Sequence, residues 1–219
     1  MAKVRVVYFL EDRAQEGFLR ALVERVAREE GLPVHALVHD VRSARHGSKA
    51  IGEFRRFLVD LRRDRESLPD LLVVAVDGNC KGYGERATQL RRMLQPTDPF
   101  GDRVVFAIPD PHIERWYLMD QRALKEATGL ERAPEMPPYK CKRSAYKQVL
   151  RDALSRPPVH SLLGGVEFAE EIVERMRDLE SLRAADASFA RLIADLRSAL
   201  RSLRRAPSPP SDSSATMGA

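Results

Sequence analysis

Two hydrophobic periods alternate along the first half of the chain. Val4 to Leu10 (VRVVYFL) is a nearly continuous apolar run rich in β-branched residues, the pattern of a strand covered on both faces. From Asp12 to Glu30, Phe18, Leu19, Leu22, Val23 and Val26 recur at helical spacing, and Gly31 predicts the helix end. Val34 to His39 reads as a second strand, and Ile51, Phe54, Leu58 and Leu61 mark a second amphipathic helix. Leu71 to Val76 (LLVVAV) is the most apolar strand of all. Tyr83 to Leu94 predicts a third helix and Val104 to Ile108 a fourth strand. Asp110-Pro111 then predicts the start of a fourth helix, with Asp as N-cap and Pro in the first helical position.

This order predicts an α/β protein with a four-stranded parallel sheet and helices on both faces, because right-handed crossovers return each helix onto the sheet. After Thr128 the pattern changes. Glu131 to Lys142 is rich in proline (Pro134, Pro137, Pro138) and reads as a loop. Helices are expected over Arg143–Leu154, Glu167–Leu182 and Ala187–Arg205. The last carries Phe189, Leu192, Ile193, Leu196, Leu200 and Leu203 on one stripe, with Asp186 as its cap. The expected organisation is an α/β domain over 1–128, a helical extension over 129–205 packed on it, and a Pro/Ser-rich disordered tail over 206–219 (APSPPSDSSATMGA).

Composition narrows the class. The 219 residues include 37 Lys+Arg against 32 Asp+Glu, a formal charge of +5, with 43% hydrophobic residues, which excludes a collagen-like or wholly disordered chain. No apolar run approaches the roughly 20 residues that cross a bilayer, and the start (MAKVRVVYFLEDRA) lacks a signal-peptide core, so a soluble cytoplasmic protein with no membrane partner is expected. Cys80 and Cys141 form no CxxC or Cys/His spacing; both are expected to be reduced thiols, and no zinc site is expected. The modest positive charge fits a polyanionic partner.

In an open parallel sheet, ligands bind outside the carboxyl ends of the strands, near the switch in strand order. The predicted strands run into Glu11-Asp12, Asp40, Asp77-Gly78-Asn79 and Pro109-Asp110, and the fourth helix adds Glu114. Asp12, Asp40 and Asp110 read as helix caps. Glu11 and Asp77 do not: glutamate caps poorly, and Asp77 is followed by a Gly-Asn turn that brings backbone close to a ligand. Two carboxylates about 4 Å apart repel by about 4 kcal/mol at an effective dielectric near 20, which a proton or a cation relieves. Oxygen donors from Glu11, Asp77, Asn79 and Glu114 suit Mg2+ or Mn2+, and such a centre points to phosphoryl or phosphodiester chemistry.

A glutamate ending the first strand and an Asp-x-Asn (Asp77, Asn79) ending the third resemble the Toprim domain of topoisomerases, bacterial primases and overcoming-lysogenization-defect nucleases. Three segments, DGNCKGYGER (Asp77–Arg86), AIPDPHIERWYLMD (Ala107–Asp120) and KCKRSAYKQVL (Lys140–Leu150), are similar to small stand-alone Toprim-like proteins of bacterial anti-phage loci. The resemblance implies a metal-dependent nuclease acting in antiviral defence with an ATPase partner. Asn79 stands where many members carry a second Asp, and no Gly-rich turn follows Glu11. No Walker A pattern occurs, so ATP dependence would come from another chain.

Lys140, Lys142, Arg143, Lys147 and Arg151 surround Tyr146, and Arg143, Lys147 and Arg151 fall on one helical face, a candidate track for DNA or RNA. Lys81 and Arg86, just beyond Asp77, are candidates to stabilise a transition-state phosphate, Lys81 in a catalytic role beside Glu11, Asp77 and Glu114. His35 and His112 have no spaced partner and read as ordinary residues. The competing reading is a non-catalytic regulatory subunit that binds nucleic acid or an ATPase through a degenerate Toprim site. A small-molecule phosphatase is disfavoured by the missing Gly-rich phosphate loop. Self-association into a homo-oligomer stays open.

Overall fold

The computed structural model describes residues 3–139, 141, 144–155, 157, 159 and 161–205. Four strands, β1 (Val4–Leu10), β2 (Leu37–Ser43), β3 (Leu71–Ala75) and β4 (Val104–Ala107), form one all-parallel sheet in the order β2-β1-β3-β4. Chain order therefore reverses at the β1/β3 pair, which is the switch point where α/β sheets leave a crevice.

The period-two alternation of the central strands builds two cores. Val6, Tyr8, Leu10, Leu71, Val73 and Ala75 face one side, while Val7, Phe9, Leu72, Val74 and Val76 face the other. The second face is covered by α2 (Ala50–Arg63) and α3 (Gly82–Arg91), through Phe54, Leu58, Leu61, Ala87 and Leu90. The first is covered by α1 (Glu16–Glu29), α4 (Glu114–Met119), α5 (Gln121–Thr128), α6 (Ala145–Leu154), α7 (Ala169–Arg175), α8 (Leu179–Ala185) and α9 (Ala187–Arg205). Trp116, fully buried, meets Phe189 of α9 edge-on at 5.5 Å. The helices after residue 128 thus share one core with the sheet: α9 lies on β4 and α1, and α7 on α1 and α5.

Four expectations change. The second strand lies further along the chain, because Val34–Ala36 form a 3-10 turn and β2 is a largely polar edge strand. Asp40 consequently sits inside β2, opposite Val7, ion-paired with Arg5 at 3.1 Å and Arg42 at 3.2 Å, and β2 ends in Ser43-Ala44-Arg45 rather than in an acid. The fourth helix does not start at Pro111. The Pro109 and Pro111 carbonyls accept the Gly78 and Asn79 N–H groups, the Asp110 carboxylate accepts the Tyr139 hydroxyl at 3.2 Å, and α4 begins at Glu114. The helix expected over 167–182 is broken, since Met176 is extended and Asp178 caps α8 by accepting from Glu180 and Ser181 N–H. Finally, Cys80 and Cys141 are not free thiols: they form a disulfide that ties the loop after β3 to the segment before α6.

Asp186 does cap α9, accepting the Phe189 N–H at 2.9 Å. Its second oxygen binds the Arg115 guanidinium at 2.7 Å; Arg115 also donates to the Tyr146 hydroxyl and lies over the Tyr139 and Tyr146 rings. Among the described residues, no helix is long and apolar enough to cross a membrane. The expected tail over 206–219 lies outside the described residues.

Candidate active site

The carboxyl ends of β1 and β3 open into a cleft of ≈ 1190 Å³ lined by Glu11, Asp77, Asn79, His112, Glu114 and Lys147, together with Arg13 and the Ser43–Gly47 turn. The β1/β3 ladder continues one step past the strands, with Glu11 N–H donating to Ala75 O at 2.9 Å, so Glu11 and Asp77 leave the sheet side by side. The Glu11 carboxylate then accepts the backbone N–H of Asp77 at 2.9 Å.

Asp77 is held from two further directions. Its Oδ1 accepts the Gln15 side-chain amide at 3.0 Å, and its Oδ2 meets His112 Nδ1 at 3.0 Å. Gln15 is itself oriented by a capping box. Asp12 accepts from Ala14 N–H, while Gln15 Oε1 receives the Asp12 N–H at 3.4 Å, which leaves its NH2 to face Asp77. Gln15 is almost fully buried, so this orientation is fixed by packing as well.

Beyond Asp77 the loop turns sharply. A Cβ on Gly78 would lie 2.7 Å from Asp110 Oδ1 and 3.1 Å from the Pro109 carbonyl, so only glycine fits there. Asn79 (φ 47°) and Cys80 (φ 66°) are left-handed, a conformation that asparagine adopts more readily than most side chains. Asn79 N–H donates to Pro111 O at 3.1 Å, which fastens the loop to the exit of β4 and carries His112 and Glu114 to the cleft.

The electrostatics follow from this crowding. Burial and then the Asp77 charge raise the Glu11 carboxyl to about 7, only partly offset by the Asp77 N–H, Arg86 and His112. Glu114 is raised as well, by burial first and Asp77 next, with Lys147 and His112 opposing. His112 is raised mainly by its hydrogen bond to Asp77. Burial and the crowded acids thus hold the Glu11 and Glu114 carboxyls back from ionising, and the Asp77 hydrogen bond pushes His112 towards its cation.

The sequence-predicted oxygen donors Glu11, Asp77, Asn79 and Glu114 therefore line one cleft. Lys81 does not join them; it is exposed and paired with Glu85 at 3.0 Å. Of the basic stretch, Lys147 lines the cleft, Arg151 is exposed on α6 without lining it, and Lys140, Lys142 and Arg143 lie outside the described residues. Sequence reasoning missed Gln15 and His112. The Asp12-x-x-Gln15 capping box and the place of His112 just after the fourth strand were the signals for them.

Among the described residues, no group of three or more His, Cys, Asp or Glu side chains is arranged to hold a metal ion. The Glu11–Asp77 pair nevertheless fits a hard cation that keeps most of its waters, since such ions are commonly held by one or two carboxylates. Comparison with protein-family models, with curated proteins and with solved structures returned no match.

Proposed function

We propose that the protein is a Mg2+- or Mn2+-dependent nuclease that cleaves phosphodiester bonds at the Glu11–Asp77 edge of the sheet. The observation carrying this reading is the Glu11 carboxylate accepting the Asp77 N–H at 2.9 Å at the switch point, which sets two part-buried acids together where a cation would relieve both charge and burial. Glu11 and Asp77 would hold the ion, with the Asn79 amide oxygen and Glu114 as flanking oxygen donors. Once bound, such an ion supplies Lewis acidity towards a phosphoryl oxygen and acidifies a water.

The chain's own groups divide the remaining work. Gln15 and His112 lock both oxygens of Asp77, so its carboxylate needs no reorganisation as charge develops. Glu114, its carboxyl raised by burial and by Asp77, is placed in the same cleft to give or take a proton. Arg86, close enough to Glu11 to oppose its shift, supplies fixed positive charge at the edge of the site. The likeness of Glu11, Asp77 and Asn79 to the Toprim pattern agrees with this assignment, and a role in anti-phage defence beside an ATPase is the biological setting that likeness implies.

The test is cleavage of labelled DNA and RNA in Mg2+ or Mn2+ by the wild-type protein, by Glu11→Gln and by Asp77→Asn, each with and without ATPases from neighbouring loci. Metal-dependent cleavage abolished by both substitutions supports the nuclease. A folded wild-type protein that stays inert throughout yet binds such an ATPase identifies a regulatory subunit instead.

A further inference from the structure

The cleft carries basic side chains as well as acids. Arg13, Arg45, His46 and Lys147 all line it and are all exposed. Among the described residues, none of these four side chains takes part in an ion pair or hydrogen bond. Some arginines away from the cleft are committed to acids instead, as Arg62 is to Asp98, Arg115 to Asp186 and Arg201 to Glu30. Exposed basic side chains gathered along one cleft suit an anionic ligand.

Their distribution says what kind of anion. Arg13 follows β1, Arg45 and His46 follow β2, and Lys147 projects from α6, so the charge comes from three separate segments rather than converging on one point. These segments flank the acids. On one side the Arg45–Gly47 turn abuts Glu11, since a Cβ on Gly47 would lie 3.4 Å from Glu11 Oε1. On the other, Lys147 is near enough to Glu114 to lower its carboxyl. A single phosphate needs one convergent cradle, whereas spaced cations on both sides of an acidic centre suit a ligand with several phosphates in a row. The cleft volume, ≈ 1190 Å³, also exceeds the roughly 300–1,000 Å³ of small-molecule pockets.

We infer that this cleft binds the sugar–phosphate backbone of a nucleic acid, held by Arg13 after β1, by Arg45 and His46 after β2 and by Lys147 on α6, with a phosphodiester crossing the Glu11–Asp77 pair between them. This rests on the nuclease reading and deepens it: the strand runs across the switch point, and the outer face of α6 with Arg151 is not part of its path. The turn that supplies Arg45 and His46 is held by its backbone, the Glu53 carboxylate taking up the Arg45 N–H at 2.8 Å, while both residues line the cleft.

The experiment is binding of short fluorescent oligonucleotides, single-stranded and duplex, by anisotropy in EDTA across a salt series. The proteins are wild type, Arg13→Ala/Arg45→Ala, Lys147→Ala and Arg151→Ala, each checked for its thermal melt. The double variant should bind about tenfold or more weakly and lose about 1.5 from its log–log salt slope, and Lys147→Ala about 0.8, at 0.7–0.9 per phosphate contact. Arg151→Ala should bind within about twofold of wild type. Equal affinities and slopes for the wild-type and double-variant proteins, or no binding by the wild type, overturn the inference. The same proteins assayed with Mn2+ separate the two claims. Cleavage by a wild type whose binding ignores Arg13 and Arg45 sinks the backbone track alone; binding that depends on them without any cleavage sinks the nuclease alone.

Discussion

The Glu11 carboxylate accepts the backbone N–H of Asp77 at 2.9 Å, which joins the ends of the two strands that flank the switch in chain order. This bond places the two carboxylates side by side and partly buried. Burial and the Asp77 charge raise the Glu11 carboxyl, outweighing this N–H donor, which lowers it.

In the metal-free protein this should appear in the pH dependence of stability. The folded-state value of about 7 lies above the ordinary 4.5, so Glu11 favours folding fully below about 4.5 and that contribution is lost as pH rises through 7. Glu11→Gln keeps an oxygen for the Asp77 N–H and removes the charge. It is expected to melt several degrees above wild type at pH 8 and level with it near pH 4, read by differential scanning calorimetry.

His112 offers a direct probe of Asp77. Its imidazole is raised first by the Asp77 hydrogen bond, with burial opposing. In Asp77→Asn, the histidine should titrate at lower pH than in wild type by NMR. An unchanged titration would place the shift elsewhere.

The Cys80–Cys141 disulfide closes a loop between residues 61 apart in sequence, which by chain entropy stabilises the fold by about 4 kcal/mol. Cys80→Ser/Cys141→Ser, or reduction of the wild type, is expected to lower the melting temperature by about 8 °C or more. A Cys80–Cys141 linked peptide should be found by non-reducing mass spectrometry and should vanish after reduction.

Asp186 is a buried acid with two duties, capping α9 and neutralising Arg115. Asp186→Ala leaves the Arg115 guanidinium largely buried without its carboxylate, and a loss of about 3–5 kcal/mol is expected in chemical denaturation. Arg122→Ala, at a part-exposed i,i+4 partner of Glu126 that also donates to the Arg175 carbonyl, should cost far less than Asp186→Ala.

Much of this molecule was legible from its hydrophobic periods. β1, β3 and β4 are apolar on both faces because the parallel sheet is covered on both, so their runs stand out without alternation. α9 matches the expected Ala187–Arg205 because a long stripe and a good cap coincide. β2 was misplaced for the opposite reason: an edge strand needs little apolar content, and Val34–Ala36 offered a stronger signal just before it. That shift hid Arg45 and His46 from the site and made Asp40 read as a helix cap at a strand exit.

The acids were legible as strand exits, whereas their clamps were not. Gln15 reaches Asp77 through a capping box and His112 through the backbone pairing of the Asp77–Asn79 loop with Pro109–Pro111, and both depend on contacts remote in sequence. The disulfide was missed on the same ground, since a pair separated by 61 residues has no local spacing signature.

The most direct test of the account is titration of Mn2+ into the metal-free protein, followed by calorimetry and by the loss of free-ion paramagnetic signal. The wild type should take up Mn2+ at a site whose affinity increases from pH 6 to pH 8 as the Glu11 proton is displaced, and Glu11→Gln and Asp77→Asn should each bind at least about tenfold more weakly. Equal Mn2+ affinity in all three folded proteins, or no uptake by the wild type at millimolar Mn2+, would contradict a cation site at the Glu11–Asp77 pair.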